Sequence, residues 1–145
     1  MDLQLAGAVA VVTGASRGIG LGIARTLAAE GCRLVLVARG EEGLRRAGEE
    51  LTAQGAEVAT VACDLTLPQA ASSVVESTLK RFGQVDVLVN NAGGNRRKVF
   101  VDTSDEDWEW LLNLNLLAHV RLTRQVLPVM RRQRRGVVIF ISSIF

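Results

Sequence analysis

With 145 residues, 48 % apolar and 22 % charged, the chain has the material of one globular domain with a true core. A net charge of +2 gives no drive towards nucleic acid. No run approaches the roughly 18 apolar residues of a membrane span, and the opening MDLQLAGAVA lacks the basic segment of a secretory signal. The two cysteines, Cys32 and Cys63, read as reduced core residues, which implies a cytoplasmic protein.

Strand-like and helix-like segments alternate along the chain. Residues 8–14 form a short apolar run closed by glycine, a buried strand. From Gly18 to about Glu30, Ile19, Ile23 and Leu27 mark one face of a helix. Residues 33–39 are a second strand. The charged stretch that follows is helical and stops at Gly55. A third strand lies within 56–65. The next helix carries Pro68 in its first turn and ends at Gly83, with Val75, Leu79 and Phe82 on one face. Residues 84–94 hold a fourth strand running into a glycine turn. Residues 104–133 form one long amphipathic pattern that aligns Leu112, Leu116, Val120, Thr123, Leu127 and Met130, with Pro128 expected to kink or end it. Residues 137–145, VVIFISSIF, read as a fully buried fifth strand.

Strands apolar on both faces, each followed by a helix, imply a parallel sheet covered on both sides. With right-handed crossovers this is a doubly wound α/β fold, whose ligands bind at the carboxyl ends of the strands. The chemistry is therefore expected just after each strand. After the first comes TGASRGIG, residues 13–20. Gly14, Gly18 and Gly20, with Ser16, Arg17 and Ile19 between them, suit a turn that lets a pyrophosphate touch the backbone at a helix N-terminus.

Together with CDL (63–65), NNAG (90–93) and the serine pair of the last strand, this turn resembles the short-chain dehydrogenase/reductase family, above all its 3-oxoacyl-acyl-carrier-protein-reductase-like members. The resemblance implies a Rossmann-type, doubly wound parallel sheet. About five strands are present and the C-terminal strands and helices missing, so residues 1–145 are expected to be one dinucleotide-binding domain, incomplete at its C-terminal end. It also implies hydride transfer between a nicotinamide and a small carbonyl or alcohol substrate. A homo-oligomer, tetramer or dimer, is implied, with neither nucleic acid nor membrane as a partner.

At the end of the second strand Arg39 follows Ala38, where NAD-dependent relatives place a carboxylate. A guanidinium there, with Arg17 nearby, suits a 2′-phosphate, so NADP(H) is expected over NAD(H). Glu41 and Glu42 follow closely and argue the other way. By resemblance Asp64 and Leu65 meet the adenine, Asn91, Ala92 and Gly93 lie along the cofactor, and Asn90 ties the central strands together. For catalysis the resemblance assigns Ser143 to the substrate oxygen and Asn115 to a water chain, with Asn113 the competitor for that role.

The family's proton donor is a tyrosine paired with a lysine. The sequence contains no tyrosine, so this stretch alone is expected to bind without turning over. The other reading is a dinucleotide-binding module or sensor without catalysis. The basic run 131–135 reads as a helix C-terminal cap, His119 as no metal site, and Trp108 and Trp110 as packing or interface.

Overall fold

In the computed structural model, which describes residues 3–143, five apolar runs become the strands β1 (Val9–Thr13), β2 (Arg33–Ala38), β3 (Val58–Ala62), β4 (Val87–Asn90) and β5 (Val137–Phe140). All pair in parallel, in the order β3-β2-β1-β4-β5. Between them run the helices α1 (Gly18–Ala29), α2 (Glu41–Ala53) and α3 (Ala70–Phe82). The last crossover holds α4 (Asp105–Leu112) and α5 (Ala118–Gln133), joined by a π-turn over Asn113–Leu117. Among the described residues no helix is long and apolar enough to cross a membrane.

Alternate strand residues leave the sheet on opposite sides. Val9, Val11, Val35, Val37 and Leu88 pack with Val74 of α3 and with Leu122 and Val126 of α5. Ala10, Val12, Leu34 and Leu36 pack with Ala24 of α1 and with Leu44 and Leu51 of α2. Both faces of the central strands are therefore dry. That is why these strands read as unbroken apolar runs.

Several expectations are corrected. α1 buries Gly20 and Ala24, while Ile19 is 68 % exposed: the helix approaches the sheet on its small residues. Pro68 stands before the N-cap Gln69 of α3, because the chain first makes a turn in which Leu67 donates to the Asp64 carbonyl. Of the two outcomes expected at Pro128, a kink or an end, the end does not occur: α5 runs on to Gln133. Pro128 and Arg124 are both exposed, so the carbonyl that loses its helical partner can bond to water.

Another concerns the last crossover. Its core stripe is Leu114, Ala118, Leu122, Val126 and Val129, whereas Leu112, Leu116, Val120 and Leu127 are exposed. The expected row is exposed on both sides of the π-turn, at Leu112 before it and at Val120 and Leu127 after it, so the chain simply packs its other apolar face against the sheet.

β5 is also not buried. Val137 and Phe140 are each 53 % exposed, and among the described residues β5 stands at the edge of the sheet beside β4. Its ladder ends at Phe140, and residues 144–145 of the expected strand lie outside the described residues.

At the amino ends of the strands, Asp86 binds three elements into one. It accepts the Val9 N–H at 2.8 Å and Nε of Arg135 at 2.8 Å, and its own carbonyl accepts the Val137 N–H. Gln133 bonds both backbone groups of Val85. The basic run at the end of α5 is thus partly a structural tie as well as a cap.

Candidate functional site: a dinucleotide cavity at the strand switch

Between β1 and β4 the strand order reverses, which opens a crevice at the carboxyl edge of the sheet. A cavity of about 810 Å³ lies there, fed by the loops after β1, β2, β3 and β4. The first loop contributes Gly14, Ser16, Arg17, Gly18, Ile19 and Gly20, all six expected from the sequence. Gly14 and Gly18 take φ of +65° and +56°, the left-handed region that favours glycine. A Cβ on Gly20 would lie 2.2 Å from the Gly14 carbonyl oxygen and 2.6 Å from Nδ2 of Asn91. The turn is therefore pressed against the β4 loop. α1 opens at Gly18, so its unpaired first-turn N–H groups and positive dipole end stand at the cavity.

The two loops are stitched together by Thr13, which the sequence reading missed. Its hydroxyl donates to the Val89 carbonyl at 3.2 Å and accepts the N–H groups of Asn91 and Ala92, each at 2.9 Å. Asn91 answers by donating Nδ2 to the Thr13 carbonyl at 3.0 Å. The available signal was the threonine directly before the first glycine, a buried hydroxyl in an otherwise apolar strand. Asn91, Ala92 and Gly93 line the cavity. Asn90 does not: its Nδ2 reaches Thr123 of α5 at 3.1 Å, so it ties β4 to a helix and not to another strand.

At the end of β2, Arg39 lines the cavity with Ala38, Gly40 and Gly43. Neither Glu41 nor Glu42 does. Glu42 is held on the outer face of α2 by Arg45 at 2.9 Å and Arg46 at 2.7 Å, which pull its carboxyl down to about 2. Gly43 leaves room for Ser16, whose Cβ would stand 3.2 Å from a Cβ there.

After β3, Leu65 lines the cavity together with Cys63, which sits at the rim and not in the core. Burial pushes the Cys63 thiol up and keeps it protonated, with Asp64 adding to the shift. Asp64 is not a lining residue. Its Oδ1 accepts the N–H and the hydroxyl of Thr66 at 2.9 and 2.7 Å, and the backbone bond leads in holding its carboxyl below the usual range.

The two asparagines of the last crossover separate cleanly. Asn115 clasps the β4 loop: its Oδ1 accepts the Gly94 N–H and its Nδ2 donates to the Gly94 carbonyl, both at 3.0 Å. Asn113 serves the β3 loop, donating to the Thr66 carbonyl at 3.1 Å and accepting from Arg121 at 2.6 Å. The π-turn begins at Asn113, and Asn115 donates back to the Leu111 carbonyl at its edge. Local hydrogen bonding of this kind is how asparagine competes with a regular helix. Ser143 lies three residues past β5, at the same carboxyl edge of the sheet, and is exposed. Among the described residues no cluster of His, Cys, Asp and Glu could hold a metal.

The family model for short chain dehydrogenases matches residues 8–145. Among curated relatives, the Escherichia coli 3-oxoacyl-[acyl-carrier-protein] reductase FabG is 38 % identical over 142 residues, covering 98 % of this chain and 57 % of the relative. The short-chain reductase protein NovJ of Streptomyces niveus is 38 % identical over 136 residues, covering 94 % and 52 %. The chain thus spans little more than half the length of these relatives. Among solved structures, L-sorbose reductase from Gluconobacter frateurii, complexed with NADPH and L-sorbose, superposes with a TM-score of 0.96 at 42 % identity, covering 99 % of this chain and 55 % of that one. A metagenomic short-chain oxidoreductase in complex with NADP gives 0.92 at 43 % identity, covering 97 % and 64 %. A parallel sheet with a glycine turn at its switch point, matched along nearly the whole chain, makes this protein a member of the short-chain dehydrogenase family.

Proposed function

We propose that this chain is the dinucleotide-binding domain of an oxidoreductase that transfers hydride between NADP(H) and a small carbonyl or alcohol substrate. The observation that carries the cofactor preference is the wall of the cavity. Two guanidinium groups, Arg17 and Arg39, line it and no carboxylate does. A 2′-phosphate placed between them gains charge-assisted bonds, whereas the bare ribose of NAD(H) gains nothing. The NADPH and NADP named for the structural neighbours agree with this reading.

The bound nicotinamide supplies or accepts the hydride. The chain's own groups bind and orient it. Gly14, Gly18 and Gly20, with Ser16 and Ile19, cradle the pyrophosphate at the start of α1. Leu65 flanks the adenine, and Asp64 meets its edge with Oδ2, the oxygen Thr66 does not use. Asn91, Ala92 and Gly93 run along the cofactor. Ser143 donates to the substrate oxygen, and Asn115 supports the water chain to the proton donor. The chain spans little more than half the length of its relatives, so turnover is proposed for the whole enzyme and dinucleotide binding for this stretch. Homo-oligomerisation, as tetramer or dimer, belongs to the proposal and is supported by the exposed apolar row Leu112, Leu116, Val120 and Leu127. A cytoplasmic setting is supported by two cysteines that are both free thiols.

Cofactor affinity tests the proposal directly. NADPH should bind the full-length protein more tightly than NADH. Arg39→Ala should weaken NADPH by about tenfold or more, the worth of a charge-assisted pair, and leave NADH unchanged. Equal affinities for the two cofactors, with a ratio insensitive to Arg39→Ala, overturn it. The alternative reading is a dinucleotide-binding module or sensor without catalysis. NADPH consumption with ketones, β-ketoesters and quinones decides between them.

A further inference from the structure

His119 is the only histidine in the sequence, and nothing above uses it. It is 7 % exposed, on α5 one turn beyond Asn115. Its Nε2 lies 2.7 Å from the Ala92 carbonyl oxygen. A carbonyl oxygen can only accept, so Nε2 carries a hydrogen, as it does in the charged ring and in one neutral tautomer. The ring also stands 6.2 Å, centroid to centroid, from Phe140 of β5, which limits its freedom to swing away.

The last crossover thus grips the β4 loop twice: His119 holds the Ala92 carbonyl and Asn115 holds both backbone groups of Gly94. Between the grips lies the Ala92–Gly93 peptide. A trans peptide is planar, and its C=O and N–H point in opposite directions. With the carbonyl pinned towards α5, the Gly93 N–H is turned away from it. Ala92 and Gly93 both line the cavity, and no acceptor among the described residues takes that N–H.

We infer that His119 is a positioning residue for the dinucleotide site: it fixes the Ala92–Gly93 peptide so that the Gly93 N–H is presented to an oxygen of the bound dinucleotide. The inference rests on the NADP(H) reading above. Without the imidazole the peptide can turn over. It would then offer the cavity a carbonyl, which repels the oxygen that the N–H attracts.

NADPH titration of the full-length protein tests this, with the unfolding temperature of the ligand-free protein measured alongside. His119→Phe keeps the aromatic bulk against Phe140 and removes the donor; it should raise the NADPH Kd about tenfold. His119→Gln carries an amide to nearly the same point and should bring Kd back to within about threefold of wild type. If the Phe variant does not fold, His119→Asn takes its place, since its shorter amide falls short of Ala92 and should weaken binding as Phe does. Loss without rescue by Gln, or a donor-free variant that binds like wild type, overturns the inference alone. Wild-type protein that does not bind NADPH overturns the functional reading itself and this inference with it.

Discussion

The hydroxyl of Thr13, fully buried at the end of β1, accepts two consecutive backbone N–H groups of the β4 loop, those of Asn91 and Ala92, each at 2.9 Å. One oxygen atom therefore sets the separation of the two loops that bound the cavity. Its own hydrogen is used on the Val89 carbonyl, so every polar valence of the side chain is committed.

Thr13→Val keeps the shape and removes the hydroxyl. Two N–H groups and a carbonyl then lose their partner in a dry interior, at a cost of about 3 kcal/mol. Thr13→Ser keeps the oxygen and should cost about 1 kcal/mol for the lost methyl. Denaturant unfolding measures both, and NADPH affinity should fall in the Val variant only.

Two glycines of α1 should respond to alanine with opposite signs. At Gly20 the new methyl meets the Gly14 carbonyl at 2.2 Å, and backbone cannot step aside cheaply. Gly20→Ala should cost about 2 kcal/mol or more and lower NADPH affinity. Gly22 has nothing within 4 Å of a built Cβ, so Gly22→Ala should stabilise the helix by about 1 kcal/mol. Thermal unfolding of the two variants checks the contrast.

Asn113 and Asn115 should separate in the full-length enzyme. Asn113→Ala takes one of two donors from the Thr66 carbonyl and the carboxamide acceptor from Arg121, and should lower stability by about 1 kcal/mol with little change in kcat. Asn115→Ala releases Gly94 beside the cavity and should lower kcat at saturating NADPH by about tenfold or more. Steady-state kinetics on both variants reads the difference.

Asp107 gives the fold an acid-sensitive anchor. The carboxylate is almost wholly buried and is held far below the usual carboxylate range by Lys98 first, then by the Ser104 N–H and Arg96. A carboxyl whose folded pKa lies below its unfolded one stabilises the protein above the unfolded value, about 3.9. That stability is lost as pH falls from there towards the folded pKa. Wild type should therefore unfold several degrees above Asp107→Asn at pH 7. The gap should narrow below about pH 4 and close in strong acid, as melting curves across that range will show.

The residues forming the first turn of the cavity were legible because backbone chemistry leaves a mark in the sequence: a strand, three spaced glycines and a helix admit few structures. Arg39 was legible for a similar reason, as a strand end facing the crevice. What stayed hidden depends on side chains meeting across distant loops. Glu42 pairs with Arg45 and Arg46 at local i,i+3 and i,i+4 spacing, but that this face of α2 turns away from the cavity is set by how the helix packs. Nothing local to His119 says that its ring reaches Ala92, 27 residues earlier. The exposed row on the last crossover was misplaced because apolar residues recur on more than one face of it, and only packing against the sheet decides which face is buried.

The amino-acid sequence by itself determined a doubly wound parallel sheet and the glycine turn at its first strand end. Both follow from periodicity and from where chain geometry requires the absence of a Cβ. The tertiary structure alone decided which polar groups serve the cavity: Thr13 and His119 as clamps on the β4 loop, and Asn115 apart from Asn113. Hydrogen bonds between loops 27 to 79 residues apart depend on how the strands are ordered and how the last helix is phased, and only the packed sheet sets those two quantities.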